Sequence, residues 1–137
     1  MSPLNDRDPI EPVSEELSGL RILLVEDSWH VGKALRNLLQ ALGASVAGPV
    51  ATASDAERLL SEQVPDVGIV DFSLRNGERA HGLIGKLNAL GVRVIVVSGY
   101  EEVPLQPGDA VAVLQKPVLK ADLLAALRPA ATRKAVR

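Results

Sequence analysis

Short runs of β-branched and aliphatic residues alternate along the middle of this chain with longer stretches of helical period. That alternation admits few folds, because a parallel strand can reach the next only through a crossover, usually a helix. The candidate strands are Arg21–Glu26, Ala44–Pro49, Asp66–Val70, Arg93–Val97 and Ala110–Gln115. Between them, Val31, Leu35, Leu38 and Leu42 recur at helical spacing and predict a helix over Trp29–Leu42, stopped by Gly43. A second helix is expected from about Ser54, which has capping-box spacing to Glu57. A third is expected over Glu78–Leu90 before Gly91, and a last one after Pro117 with Leu119, Leu123 and Leu127 facing the sheet. The fold class is therefore α/β, a parallel sheet wound with helices on both faces. One crossover breaks the pattern. Ser98–Asp109 carries Gly99, Pro104, Pro107 and Gly108 and is too short for a full helix, so a degenerate or missing fourth helix is expected.

Composition narrows the function. The chain has 137 residues, enough for one domain, and 47% of them are hydrophobic, so a packed core is expected. The longest apolar runs, Ala110–Leu114 and Leu123–Leu127, are far below the ~20 residues of a membrane span. The N-terminus lacks the basic start and apolar stretch of a secretory signal, so a cytoplasmic location is expected, without membrane contact. The absence of cysteine excludes disulfides, thiolate metal sites and a cysteine nucleophile. A net charge of −2 gives no general footprint for direct nucleic-acid binding. Residues 1–19 hold three prolines and five acids (Asp6, Asp8, Glu11, Glu15, Glu16) against Arg7 and read as a flexible acidic arm. The folded domain is assigned to residues 20–128, and 129–137 to a basic C-terminal tail.

In an open parallel sheet ligands bind beyond the carboxyl ends of the strands. The residues expected there are all polar: Glu26 and Asp27 after the first strand, Asp71 after the third, Ser98 after the fourth and Lys116 before Pro117 after the fifth. Three carboxylates brought together repel unless a cation joins them, and hard oxygen ligands at a partly hydrated site suit Mg²⁺. For Trp29, two residues past Asp27, two readings stay open: a cover over the acidic pocket, or core. His30 and His81 have no second ligand at metal spacing and read as surface histidines.

With RILLVEDS (Arg21–Ser28), VGIVDFSL (Val67–Leu74), VIVVSGY (Val94–Tyr100) and LQKP (Leu114–Pro117) in this order, the chain resembles the receiver domain of bacterial two-component response regulators. The resemblance implies a flavodoxin-like, CheY-like five-stranded fold with strand order 2-1-3-4-5. It implies that Asp71 is the phosphoacceptor, and that Mg²⁺ is held by Glu26, Asp27, Asp71 and the backbone carbonyl of Ser73. Lys116 and Ser98 would contact the phosphoryl group, and the Lys116-Pro117 bond would be cis. The implied donor is a sensor histidine kinase or a histidine phosphotransfer protein. The chain would then be a signalling protein in a phosphorelay rather than an enzyme, catalysing only its own phosphorylation and dephosphorylation.

Several positions depart from the pattern. The switch aromatic three residues before the lysine is replaced by Val113, and the only tyrosine is Tyr100, in a Ser-Gly-Tyr sequence similar to a subgroup of single-domain receivers. Output is therefore assigned to Ser98, Tyr100 and Val113, with Gly99–Asp109 expected to order on phosphorylation. Only 21 residues follow Lys116, so output is expected to pass to another protein, or the chain acts as a phosphate sink. One alternative is a phosphorylation-independent pseudo-receiver. Another is a haloacid-dehalogenase-type phosphohydrolase, which needs a second aspartate where Ser73 stands.

Overall fold

The computed structural model describes residues 16–74, 80–99 and 105–135. Its strands are β1 (Arg21–Val25), β2 (Ser45–Val50), β3 (Val67–Asp71), β4 (Arg93–Ser98) and β5 (Ala112–Gln115), and its helices α1 (Trp29–Ala41), α2 (Ala53–Glu62), α3 (His81–Ala89) and α4 (Lys120–Ala135). All strand pairs are parallel and the sheet order is β2-β1-β3-β4-β5. This is the doubly wound order 2-1-3-4-5 that the resemblance implies.

Alternation along the strands divides the core in two. On one face Ile22, Leu24, Ile69, Ile95 and Val97 pack against Leu35 and Leu39 of α1 and Leu123, Leu124 and Leu127 of α4. On the other, Leu23, Val25, Val70, Val94 and Val96 pack against Ala56 of α2 and Leu83, Ile84 and Leu87 of α3. The central strand β3 is buried along its whole length, as a strand covered on both faces must be. Between β4 and β5, Gln106 and Asp109 close a turn, the Asp109 amide donating to the Gln106 carbonyl at 3.1 Å. Among the described residues no helix stands there.

Four details differ from the sequence reading. The buried stripe of α1 is Gly32, Leu35 and Leu39, while Val31 is exposed. Gly32 lies so close to β2 that a Cβ there would sit 2.6 Å from Cβ of Pro49, which turns the helix one residue from the position the aliphatic spacing suggests. The cap of α2 is Thr52, whose hydroxyl accepts from the Asp55 amide at 3.1 Å, two residues before Ser54. Leu119 precedes α4 and is exposed, so only Leu123 and Leu127 of the expected trio face the sheet. Finally, both expected tails are partly folded: Leu17 is fully buried and its amide donates to Leu42, and α4 runs through Pro129 to Ala135.

Candidate functional site

The carboxyl ends of β1, β3, β4 and β5 converge at one edge of the sheet. Parallel register sets this: Val25 stands beside Val70, Asp71 beside Val97, and Ser98 beside Gln115. The next residue along β5, Lys116, donates its amide to the Ser98 carbonyl at 2.8 Å. The strands therefore deliver Glu26, Asp71, Ser98 and Lys116 to one place from four separate parts of the sequence.

Glu26, Asp71 and Ser98 are the buried polar residues among those described. Lys116 bridges the two acids, its Nζ lying 3.1 Å from Oδ2 of Asp71 and 3.3 Å from the Glu26 carboxylate. Asp27 is half-buried and completes a trio in which one carboxylate oxygen each from Glu26, Asp27 and Asp71 lies within 4.8 Å of the others. The backbone orients two of these acids. The Ser28 amide donates to Oε2 of Glu26, and the Ser73 amide to Oδ1 of Asp71, both at 3.1 Å. The Lys116–Pro117 peptide is cis, as the resemblance implies, and Gly48–Pro49 is cis as well.

Burial, reinforced by the charge of Asp71, pushes the Glu26 carboxyl up to about 7, against the opposing pull of the Ser28 amide and Lys116. Burial also presses the Lys116 ammonium down, but the hydrogen bond and charge of Asp71, with Glu26 behind it, outweigh this and hold it above its ordinary value. The site thus carries more negative charge than its one ammonium balances. Three hard oxygen donors with that excess fit a divalent cation such as Mg²⁺. Glu26, Asp27 and Asp71 would supply side-chain oxygens to it.

The other residues singled out in the sequence lie as follows. Trp29 is 61% exposed, with Nζ of Lys33 5.9 Å from its ring centroid, so it is not core. It lines a groove with Lys33, Gly48 and Pro49. Val113 is exposed on the edge strand β5, and Tyr100 lies outside the described residues. His30 is exposed, and His81, also exposed, meets the Phe72 ring edge-on at 5.1 Å. Sequence reasoning missed Ser28, whose amide steadies Glu26 while its hydroxyl caps α1 by accepting from Val31 at 3.4 Å. The signal was present: a serine directly before an apolar helical pattern is a preferred N-cap.

The family described as "Response regulator receiver domain" matches residues 22–128. The chain belongs to the response regulator receiver family. Solved structures agree on the fold. A response regulator receiver domain protein from Clostridium thermocellum is 22% identical with a TM-score of 0.75, over 85% of this chain and 98% of that one. A CheY-like receiver domain protein from Methanospirillum hungatei is 23% identical with a TM-score of 0.71, over 85% and 97%. The receiver domain of the response regulator PhyR from Erythrobacter litoralis is 23% identical with a TM-score of 0.73, over 82% and 90%. A search of curated proteins finds no match. In this receiver, among the described residues, no helix is long and apolar enough to cross a membrane.

Proposed function

We propose that this receiver accepts a phosphoryl group on Asp71 from the phosphohistidine of a sensor histidine kinase or a histidine phosphotransfer protein. The observation that carries the reading is the buried Asp71 carboxylate, held by the Ser73 amide and paired with Lys116, inside a trio of acids. A carboxylate is ionised at neutral pH and attacks phosphorus without a separate general base. An Asp71 oxygen forms the new P–O bond while the P–N bond to imidazole breaks, and the electron pair leaves on the ring nitrogen. Lys116 then pairs with a phosphoryl oxygen as a point charge, and the Ser98 hydroxyl bonds another. Glu26, Asp27, Asp71 and the Ser73 carbonyl would hold a divalent cation such as Mg²⁺, which when bound would neutralise charge on the transferring group. Phosphorylation is then read by another protein, or the domain drains phosphate from its pathway.

Intact mass after incubation with acetyl phosphate, with and without Mg²⁺, tests this on wild type and Asp71→Asn. One added phosphoryl group that requires both Mg²⁺ and Asp71 is expected. No adduct under any condition, or an adduct that survives in Asp71→Asn, overturns the reading.

A further inference from the structure

At the end of the sheet opposite the acidic site, α4 and the start of β4 enclose a polar cleft of about 240 Å³ lined by Asp66, Arg93, Arg133 and Lys134. The Asp66 carbonyl accepts the Arg93 amide at 3.2 Å, which sets the first residue of β4 beside the acid. Oδ2 of Asp66 is taken twice, by the Arg21 amide at 2.8 Å and by Nζ of Lys134 at 2.7 Å. Lys134 therefore balances the one carboxylate of the cleft. Among the described residues neither Arg93 nor Arg133 has a carboxylate partner. Nothing in phosphoryl acceptance uses these two cations.

The helix accounts for only part of this charge. Arg133 and Lys134 occupy the last turn of α4, where cations offset the roughly −0.5 charge of a helix C-terminus. Arg93 stands outside that account, because it comes from the sheet. Two unpaired guanidinium groups, less about half a charge, leave an excess of roughly +1.5 in the cleft. A phosphate monoester carries about −1.5 to −2 at pH 7, so one such group neutralises the excess. Guanidinium suits that anion, since its planar fork meets phosphate oxygens with two parallel N–H bonds. Size points the same way. Pockets that enclose a drug-sized ligand measure about 300–1,000 Å³, so this smaller cleft takes a single compact group. Its wall is open at Gly91, where a Cβ would have no neighbour within 4 Å, and a substituent on the phosphate has a path to solvent there.

We propose that this cleft binds a phosphate dianion, free or as the monoester of a small molecule, between the guanidinium groups of Arg93 and Arg133. The site is separate from Asp71 and needs no Mg²⁺. Amide NMR of the full chain in Mg²⁺-free buffer tests this. Inorganic phosphate and glycerol 3-phosphate each replace chloride at a constant ionic strength of about 0.15 M, where the screening length is about 8 Å. Saturable displacement of the Arg93, Ala130 and Arg133 amides is expected. Tighter binding of glycerol 3-phosphate assigns the cleft to small-molecule monoesters, and tighter binding of inorganic phosphate assigns it to the free ion. Arg133→Gln and Arg93→Gln should each weaken binding about tenfold or more. Arg133 is exposed, so its variant keeps the fold. Displacements that fail to saturate, or that persist undiminished in Arg133→Gln, overturn the proposal. Displacement of the Glu26, Asp71 and Lys116 amides in place of those of the cleft also overturns it, by assigning the anion to Lys116. Phosphoryl acceptance by Asp71 is read separately, by intact mass, and stands or falls independently of this titration.

Discussion

Replacing Lys116 by methionine removes one positive charge while keeping an unbranched apolar stem, and the cost can be worked from its two contacts. Nζ is 3.1 Å from Asp71 and 3.3 Å from Glu26, and both carboxylates are buried. Breaking a fully buried ion pair from one side costs about 3–5 kcal/mol, because the remaining charge is left without compensation. Two features reduce that here. The Lys116 side chain is 31% exposed, so water already screens part of the interaction. Glu26, whose carboxyl already stands at about 7, is pushed further up when its cation leaves and takes a proton, which limits the charge left behind. About 2 kcal/mol remains at neutral pH, and for a domain of this size that corresponds to a loss of roughly 6–10 °C in Tm. Scanning calorimetry or dye-monitored melting reads it, with the exposed Lys120→Met as control. A Mg²⁺ titration supplies the second arm. With the ammonium gone the carboxylates bind a cation more tightly, and each tenfold gain in affinity returns about 1.4 kcal/mol at saturating metal. The Mg²⁺-induced rise in Tm should therefore be larger in Lys116→Met than in wild type. A variant that melts with wild type, or one in which Mg²⁺ raises both curves equally, refutes the account of Lys116 as the internal counter-ion of the site.

Glycine substitutions should give opposite signs from identical chemistry. Gly48 has φ of +104°, and a Cβ there would overlap the carbonyl oxygen of Leu24, so Gly48→Ala should lose about 3 kcal/mol or more in urea melts. Gly82→Ala with Gly85→Ala fills open space on the exposed side of α3 and should gain about 1–2 kcal/mol; a loss would contradict the helical assignment. Burial presses the Asp66 carboxyl upward, but Lys134 and the Arg21 amide outweigh it and hold its pKa below the ordinary value. A depressed carboxyl stabilises the fold above its unfolded pKa of about 3.9, and that contribution is lost as pH falls through the folded value. Lys134→Met should therefore be about 1 kcal/mol less stable than wild type at pH 7, with the gap closing below about pH 4. A gap that keeps its full size at pH 3 would place the effect in packing instead.

The site was legible in the sequence to a degree that the helix faces were not, and topology explains the difference. In a parallel sheet every strand ends at the same edge, so a polar residue just past each hydrophobic run must converge with the others whatever its separation along the chain. Asp71 and Lys116 are 45 residues apart and still meet at 3.1 Å, because β3, β4 and β5 advance in register. Locating the ends of β1, β3, β4 and β5 was therefore enough to assemble Glu26, Asp27, Asp71, Ser98 and Lys116. A helix has no such constraint. Whether Val31 or Gly32 faces inward depends on Pro49, a residue of β2 that the period of α1 cannot report. Leu119 follows the spacing of Leu123 and Leu127, yet it precedes the first turn of α4 and stays exposed. Leu17 sits in a stretch whose acids and prolines read as a tail, yet its amide donates to the Leu42 carbonyl and its side chain joins the core of α1 and α4. Local pattern thus decides which segments form elements, and sheet topology carries their ends into one site. The rotation of each helix is set by close contacts between residues far apart in sequence, such as Gly32 with Pro49.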